Sequence, residues 1–130
     1  MTNDLIADML TRIRNAGRAG HENVEVRINN VCEKILSIMK TEGFIDSYVV
    51  FKSSAARMAK IDLRYYQSKP VFSAIERISK PGRRIYIPWK EIRPTRNNMG
   101  LSILSTPKGV LSEKEAKFQH VGGEYLCRIY

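Results

Sequence analysis

Six cationic side chains and two aromatic rings lie close together in the window 80–96. Cations attract phosphate groups and release their counterions, and exposed aromatic rings stack on unpaired bases. The window is therefore a candidate surface for nucleic acid, with the alternative that its aromatic residues belong to the hydrophobic core. The cations are Lys80, Arg83, Arg84, Lys90, Arg93 and Arg96, the aromatic residues are Tyr86 and Trp89, and Glu91 is the acidic residue among them.

A second polar group, Ser105-Thr106-Pro107-Lys108-Gly109, follows an apolar segment. The hydroxyls of Ser105 and Thr106 can donate and accept hydrogen bonds, so they can meet a base edge, a ribose hydroxyl or a phosphate. Lys108 adds a positive charge, and Gly109 permits a positive φ and a close approach of the backbone. The turn is either a plain connector or an element that grips an anion, and its residues alone leave both interpretations open.

The residues that catalysis needs are scarce in this chain. His21 and His120 lie near glycines in predicted turns, and no CxxC pair or nucleotide-binding glycine motif is present. We therefore expect no enzyme, no metal, no cofactor and no small-molecule substrate. Cys32 and Cys127 lie in apolar periodic segments, which favours buried free thiols in a reducing compartment. A hydrolase that uses Cys127 or His120 remains the alternative.

The net charge of +9 is unevenly distributed along the chain. Residues 1–66 carry ten Lys and Arg against eight Asp and Glu, a net of +2, whereas residues 67–130 carry twelve against five, a net of +7. A polyanionic partner should therefore meet the second half, the alternative being a solvated basic face without a partner. The beginning of the chain, MTNDLIADML, lacks a long apolar core, so we expect no signal peptide, no membrane segment and a soluble intracellular protein.

Hydrophobic periodicity predicts an α+β protein of two small domains, 1–66 and 67–130, with the second mostly strand and carrying one short helix. Residues expected to delimit helices are Asn3 and Asn30 as N-caps and Gly17 and Gly20 as helix ends. The predicted elements are helix 4–15, strand 23–28, a helix to about 42, hairpin strands 48–52 and 58–66, a turn at 80–82, strands 83–89 and 100–104, a helix from 112 to about 120, a turn at 122–123 and strand 124–130.

Five segments occur in an order that resembles the ribosomal protein S8 family of the small subunit, bacterial or organellar type. The resemblance implies a two-domain α+β protein that binds small-subunit ribosomal RNA in its central domain, next to other small-subunit proteins. It also implies a cytoplasmic or organellar, ribosome-associated location. The segments are DMLTRIRNA at 8–16, EGFI at 42–45, ISKPGRRIY at 78–86, GLSILSTPKGVLSEKEA at 100–116 and VGGEYLCRIY at 121–130.

The resemblance assigns RNA contact to two groups of residues. It also implies a second role, as a translational repressor that binds the messenger RNA of its own operon, and we keep this as the alternative function. Pro107 stands where most members have serine, so we expect no hydrogen bond there and a stiffer turn. The contact residues that the resemblance implies are Ser105, Thr106, Lys108, Gly109, Tyr86, Gly122, Gly123 and Glu124 in the C-terminal half, and Thr11, Arg12, Arg14 and Asn15 on the first helix. We add Arg83 and Arg84 from the basic window as predicted RNA contacts.

Overall fold

The computed structural model describes residues 4–94 and 99–130, and the chain forms two compact units, Met1–Ser73 and Ala74–Tyr130. Each unit combines helix with antiparallel sheet, and the second is mostly strand with a short helix, which confirms the predicted α+β class. Residues 67–73, expected to open the second domain, belong to the first unit. Asn3 and Arg96, for which predictions were made, lie outside the described residues.

The first unit packs two amphipathic helices on a three-stranded antiparallel sheet. The strand order is β1-β3-β2, and a separate pair, β4-β5, follows. The helices bury one apolar stripe each, as the 3.6-residue periodicity predicted. The elements are α1 (Leu5–Ala19), β1 (Asn23–Arg27), α2 (Asn30–Thr41), β2 (Ile45–Ser53), β3 (Ala56–Leu63), β4 (Tyr65–Tyr66) and β5 (Lys69–Pro70).

The ends of the helices differ from the prediction by small shifts. The Asp4 carboxylate accepts from the Ala7 N–H at 3.1 Å, so Asp4 is the cap of α1. Asn29, not Asn30, caps α2, because its side chain accepts from the Cys32 N–H at 2.9 Å. Gly17 does not end α1: it is buried within the helix. A Cβ at this position would lie 2.6 Å from the Phe72 ring, which explains a glycine in mid-helix.

The second unit is an antiparallel sheet with a short helix. The strands lie in the order β6-β10-β8-β9, and β7 pairs with the first residues of β10. No helix in the described part of the chain is long and apolar enough to span a membrane. The elements are β6 (Ile75–Arg77), β7 (Tyr86–Ile87), a 3-10 turn (Trp89–Glu91), β8 (Leu101–Thr106), β9 (Gly109–Ser112), α3 (Glu113–Phe118) and β10 (Gly123–Ile129).

The main correction concerns strand β9, which the sequence did not predict. Thr106 pairs with Gly109 and Ser105 with Val110, so the Ser-Thr-Pro-Lys-Gly segment is the tip of a hairpin and not a link from strand to helix. The helix after it begins as expected, because the Ser112 hydroxyl accepts from the Glu115 N–H at 3.3 Å. The predicted strand 83–89 is also much shorter, being restricted to β7.

Candidate nucleic-acid interface

Three of the predicted contact residues lie side by side on adjacent strands. Glu124 on β10 is directly opposite Tyr86 on β7 and directly opposite Ser105 on β8. Residues in direct opposition project from the same face of a sheet, about 5 Å apart, so the row spans about 10 Å. Tyr86 is 69% exposed. We call Tyr86, Glu124 and Ser105 the interface row.

The carboxylate at the centre of the interface row is held by two donors. Glu124 Oε2 accepts from the Ser79 hydroxyl at 2.5 Å and from Arg84 Nη1 at 2.9 Å. Burial raises the pKa of Glu124, but the hydrogen bonds from Ser79 and Arg84 and the charges of Arg84 and Arg77 outweigh it and leave the pKa lowered. The carboxylate is therefore ionised at neutral pH and fixes the Arg84 guanidinium beside the row.

Sequence reasoning did not select Ser79 as a candidate site residue. It is fully buried, and its hydroxyl accepts from the Ile85 N–H at 3.2 Å while donating to Glu124. The hydroxyl thus ties the segment before β7 to the centre of the row. Because Ser79 and Glu124 are 45 positions apart, only the pairing of the strands reveals this contact.

The turn predicted at Lys80-Pro81-Gly82 is confirmed. Lys80 and Arg83 exchange two backbone hydrogen bonds of 3.0 and 2.9 Å, and both residues are exposed. Arg84 follows directly, with 46% of its side chain exposed despite the pairing with Glu124. The turn therefore presents cations next to the interface row.

The two hydroxyls of the β8–β9 hairpin differ in their bonding. Thr106 Oγ1 donates to the Gly109 carbonyl at 2.8 Å and accepts from the Lys108 N–H at 3.1 Å. The hydroxyl proton of Thr106 is thus already engaged within the hairpin, and one lone pair remains to accept a hydrogen bond from a ligand. Within residues 4–94 and 99–130, the Ser105 hydroxyl makes no hydrogen bond to a side chain or to a backbone group. Gly109, at φ 110°, takes a conformation that favours glycine.

Gly122 and Gly123 are required by close backbone contacts. A Cβ on Gly123 would lie 2.0 Å from the Ser105 carbonyl oxygen, and one on Gly122 would lie 2.3 Å from the Ile87 carbonyl oxygen. These positions lie inside van der Waals contact, so no side chain fits without moving a strand. The glycines let β10 lie between β7 and β8, which aligns the interface row.

The predicted contacts on α1 belong to the first unit. Thr11, Arg12 and Asn15 are exposed, and Arg14 is half-buried. Arg12 Nε lies 3.1 Å from Asp8 Oδ2, one turn earlier in the helix. A pair this exposed is worth little and can open to meet a phosphate.

The hydrolase alternative named Cys127 and His120, and the structure shows the surroundings of both. Cys127 is buried and free, and burial raises its pKa to about 12. A thiol with that pKa is not a nucleophile at neutral pH. In the described part of the chain, no three His, Cys, Asp or Glu side chains are grouped to hold a metal ion. The His120 ring stacks on Trp89.

Comparisons with known proteins relate the sequence of this chain to one family. A family model for ribosomal protein S8 matches residues 4–130. Proteins named small ribosomal subunit protein uS8 are similar along nearly the whole chain. That of Leptospira biflexa is 48% identical over 98% of this chain and 97% of its own length. That of Solibacter usitatus is 44% identical over 100% of both chains, and that of Caulobacter vibrioides 42% over 98% of both.

Proposed function

The chain belongs to the ribosomal protein S8 family, and we propose that it binds small-subunit ribosomal RNA directly through the face that carries the interface row. It is a structural constituent of the ribosome, in the small subunit for which its relatives are named. Its RNA target is the central domain, and its place is with the ribosomes of a bacterial cell or of an organelle, beside other small-subunit proteins.

The observation that supports this proposal best is the fixed row of three different chemistries beside an arginine. Tyr86 offers an exposed ring, Ser105 a hydroxyl without a partner among the described residues, and Glu124 a carboxylate that orients Arg84. The row lies in the half of the sequence with a net charge of +7, from twelve Lys and Arg against five Asp and Glu. Strands hold these groups more rigidly than a loop would.

The arginines and the hydroxyls have tasks that RNA recognition requires. Arg84 and Arg83 neutralise phosphates, which supplies affinity without sequence information. Ser105 reaches a ribose 2′-hydroxyl or a base edge, the contacts that read the shallow minor groove of an RNA helix. Thr106 holds the hairpin tip in shape and offers one acceptor. The exposed side chains of Thr11, Arg12 and Asn15 give the first unit a phosphate-binding surface of its own.

Gel-shift titrations test the proposal with a central-domain RNA fragment and an unrelated RNA of equal length. Arg84→Ala should lower the slope of log affinity against log salt by about one unit. Ser105→Ala should weaken binding by about 1 kcal/mol, the value of one lost hydrogen bond. Arg64→Ala, an exposed arginine of the first unit, is the matched control and should change neither quantity.

The proposal is wrong if Arg84→Ala and Ser105→Ala both bind the fragment as the unchanged protein does. The alternative role as a repressor uses the same surface, so it requires a separate arm. The transcript of the protein's own operon is added as a competitor at increasing concentration. Displacement of the ribosomal fragment supports both roles. If the transcript does not displace the fragment, only the ribosomal role remains.

A further inference from the structure

The 3-10 turn that follows β7 carries one of two aromatic rings that stack on each other. The ring centroids of Trp89 and His120 are 4.4 Å apart, with planes inclined by 30°. The Lys90 ammonium lies 5.8 Å from the centroid of the Trp89 ring. Trp89 is half-buried against the apolar cluster of Ile92, Leu104 and Ala116, whereas His120 is exposed. The pair therefore has a ring anchored in the core and a ring that faces solvent.

The backbone holds His120 in an unusual conformation. Its φ is 58°, in the left-handed region. The His120 N–H donates to the Lys117 carbonyl at 3.1 Å and the Val121 N–H to the Ala116 carbonyl at 3.0 Å. This pattern ends a helix at a position where glycine is the usual residue. A bulky side chain is thus kept at a conformational cost, which is a feature of functional positions.

The strand pairing brings this pair close to the interface row. Trp89 follows β7, which carries Tyr86. A Cβ on Gly122 would lie 2.8 Å from the Trp89 backbone nitrogen. The segment that carries His120 and Gly122 therefore passes directly along the end of β7. Tyr86, Lys90 and the stacked rings are parts of one region of the second unit.

We propose that His120 and Trp89 form a stacking platform for an unpaired base of the bound RNA. The base lies on the outer face of the His120 imidazole, Trp89 supports the imidazole from beneath, and Lys90 neutralises a nearby phosphate. Stacking needs a flat and immobilised ring face, and every base offers a π surface to it. This site rests on the proposed RNA-binding function and adds an unpaired nucleotide to the helix that the interface row contacts.

The test exploits the left-handed conformation and the fact that Trp89 is the single tryptophan of the chain. His120→Asn removes the ring but suits a positive φ, and His120→Tyr keeps a ring. Phe118→Ala is the matched control, because Phe118 is 80% exposed and is the last residue of α3, two positions before His120. The RNA probes are the central-domain fragment and versions in which each unpaired purine in turn is replaced by an abasic nucleotide.

We expect His120→Asn to bind the intact fragment about 5-fold to about 150-fold more weakly, the range for one base–aromatic stack. One abasic fragment should show the same loss with the unchanged protein and no further loss with His120→Asn. His120→Tyr should restore affinity, and Phe118→Ala should leave it unaltered. Trp89 fluorescence of the unchanged protein should respond to the intact fragment and not to that abasic one.

Three results would overturn the platform, and the first two separate it from the function it rests on. If His120→Asn binds every fragment normally while Arg84→Ala weakens binding, the platform is wrong and the RNA-binding function stands. If the unchanged protein binds none of the fragments, both fail. The fluorescence comparison needs no variant, so a response of Trp89 that is equal for all abasic fragments and the intact one also refutes the platform.

Discussion

Glu124→Gln is the substitution that tests the centre of the interface row most directly. The amide has nearly the same size as the carboxylate but no charge, so it weakens two hydrogen bonds without changing the packing. Ser79 is fully buried, so its bond to Glu124 loses the difference between a charged and a neutral hydrogen bond, about 1 kcal/mol. The Arg84 pair is 46% exposed on the arginine side and adds only about 0.5 kcal/mol.

The expected loss of about 1.5 kcal/mol depends on pH in a defined direction. Because the pKa of Glu124 is lowered in the folded protein, the ionised carboxylate stabilises the fold above its unfolded pKa of about 4.3. That contribution is lost as the pH falls through the lowered value. The unchanged protein and Glu124→Gln should therefore differ at neutral pH and converge in acid.

Urea unfolding followed by Trp89 fluorescence measures the loss of stability in Glu124→Gln at each pH, since the single tryptophan reports on the second unit. At neutral pH the midpoint for Glu124→Gln should fall by about 1 M. Glu91→Gln is the control, because Glu91 is exposed and its midpoint should stay constant. An unchanged midpoint for Glu124→Gln, or an equal loss at acid and neutral pH, would refute the role assigned to the carboxylate.

Two further predictions concern Gly123 and Cys127, both on β10 of the second unit. Gly123→Ala places a Cβ 2.0 Å from the Ser105 carbonyl oxygen, so the midpoint of urea unfolding should reveal a loss of about 3 kcal/mol or more. Gly82→Ala, with open space around it, should cost less than about 1 kcal/mol, and equal losses would contradict the steric argument. Cys127, with its pKa raised to about 12, should resist alkylation in the native protein up to pH ~9, whereas an exposed thiol with a pKa of about 8.5 reacts faster as the pH rises. Mass spectrometry of the labelled protein checks this, and rapid native labelling would show that the thiol is accessible.

The helices were predictable because their information is local. An apolar stripe with a period of 3.6 residues can form only one buried face, and this fixed α1 and α2 to within a few residues. Their caps were harder, because neighbouring asparagines compete: Asn29 and Asn30 are equally good cap residues by type. The position of Gly17 inside α1 depends on Phe72, a contact between distant parts of the chain.

The hairpin and the interface row depend on strand pairing, which periodicity does not specify. Strand β9 has four residues and runs directly into a strong helix-start signal at Ser112, so its short pattern was hidden. The opposition of Glu124 to Tyr86 and Ser105 follows from the register of three strands. The resemblance named all three residues, but only the register shows that they lie side by side.

The structure distinguishes the two hydroxyls of the hairpin in the proposed RNA recognition. Both Ser105 and Thr106 can bond to RNA by residue type, but the Thr106 proton is committed to the Gly109 carbonyl. Removing the Thr106 hydroxyl would release the turn and alter affinity through its shape, whereas removing the Ser105 hydroxyl would remove a contact and leave the turn intact. Because Gly123 brings its strand against the Ser105 backbone, the position of that contact is set by the sheet and not by the loop. In the proposed interface, a contact through Ser105 therefore has the positional precision of a strand, whereas Thr106 acts by holding the hairpin tip in shape.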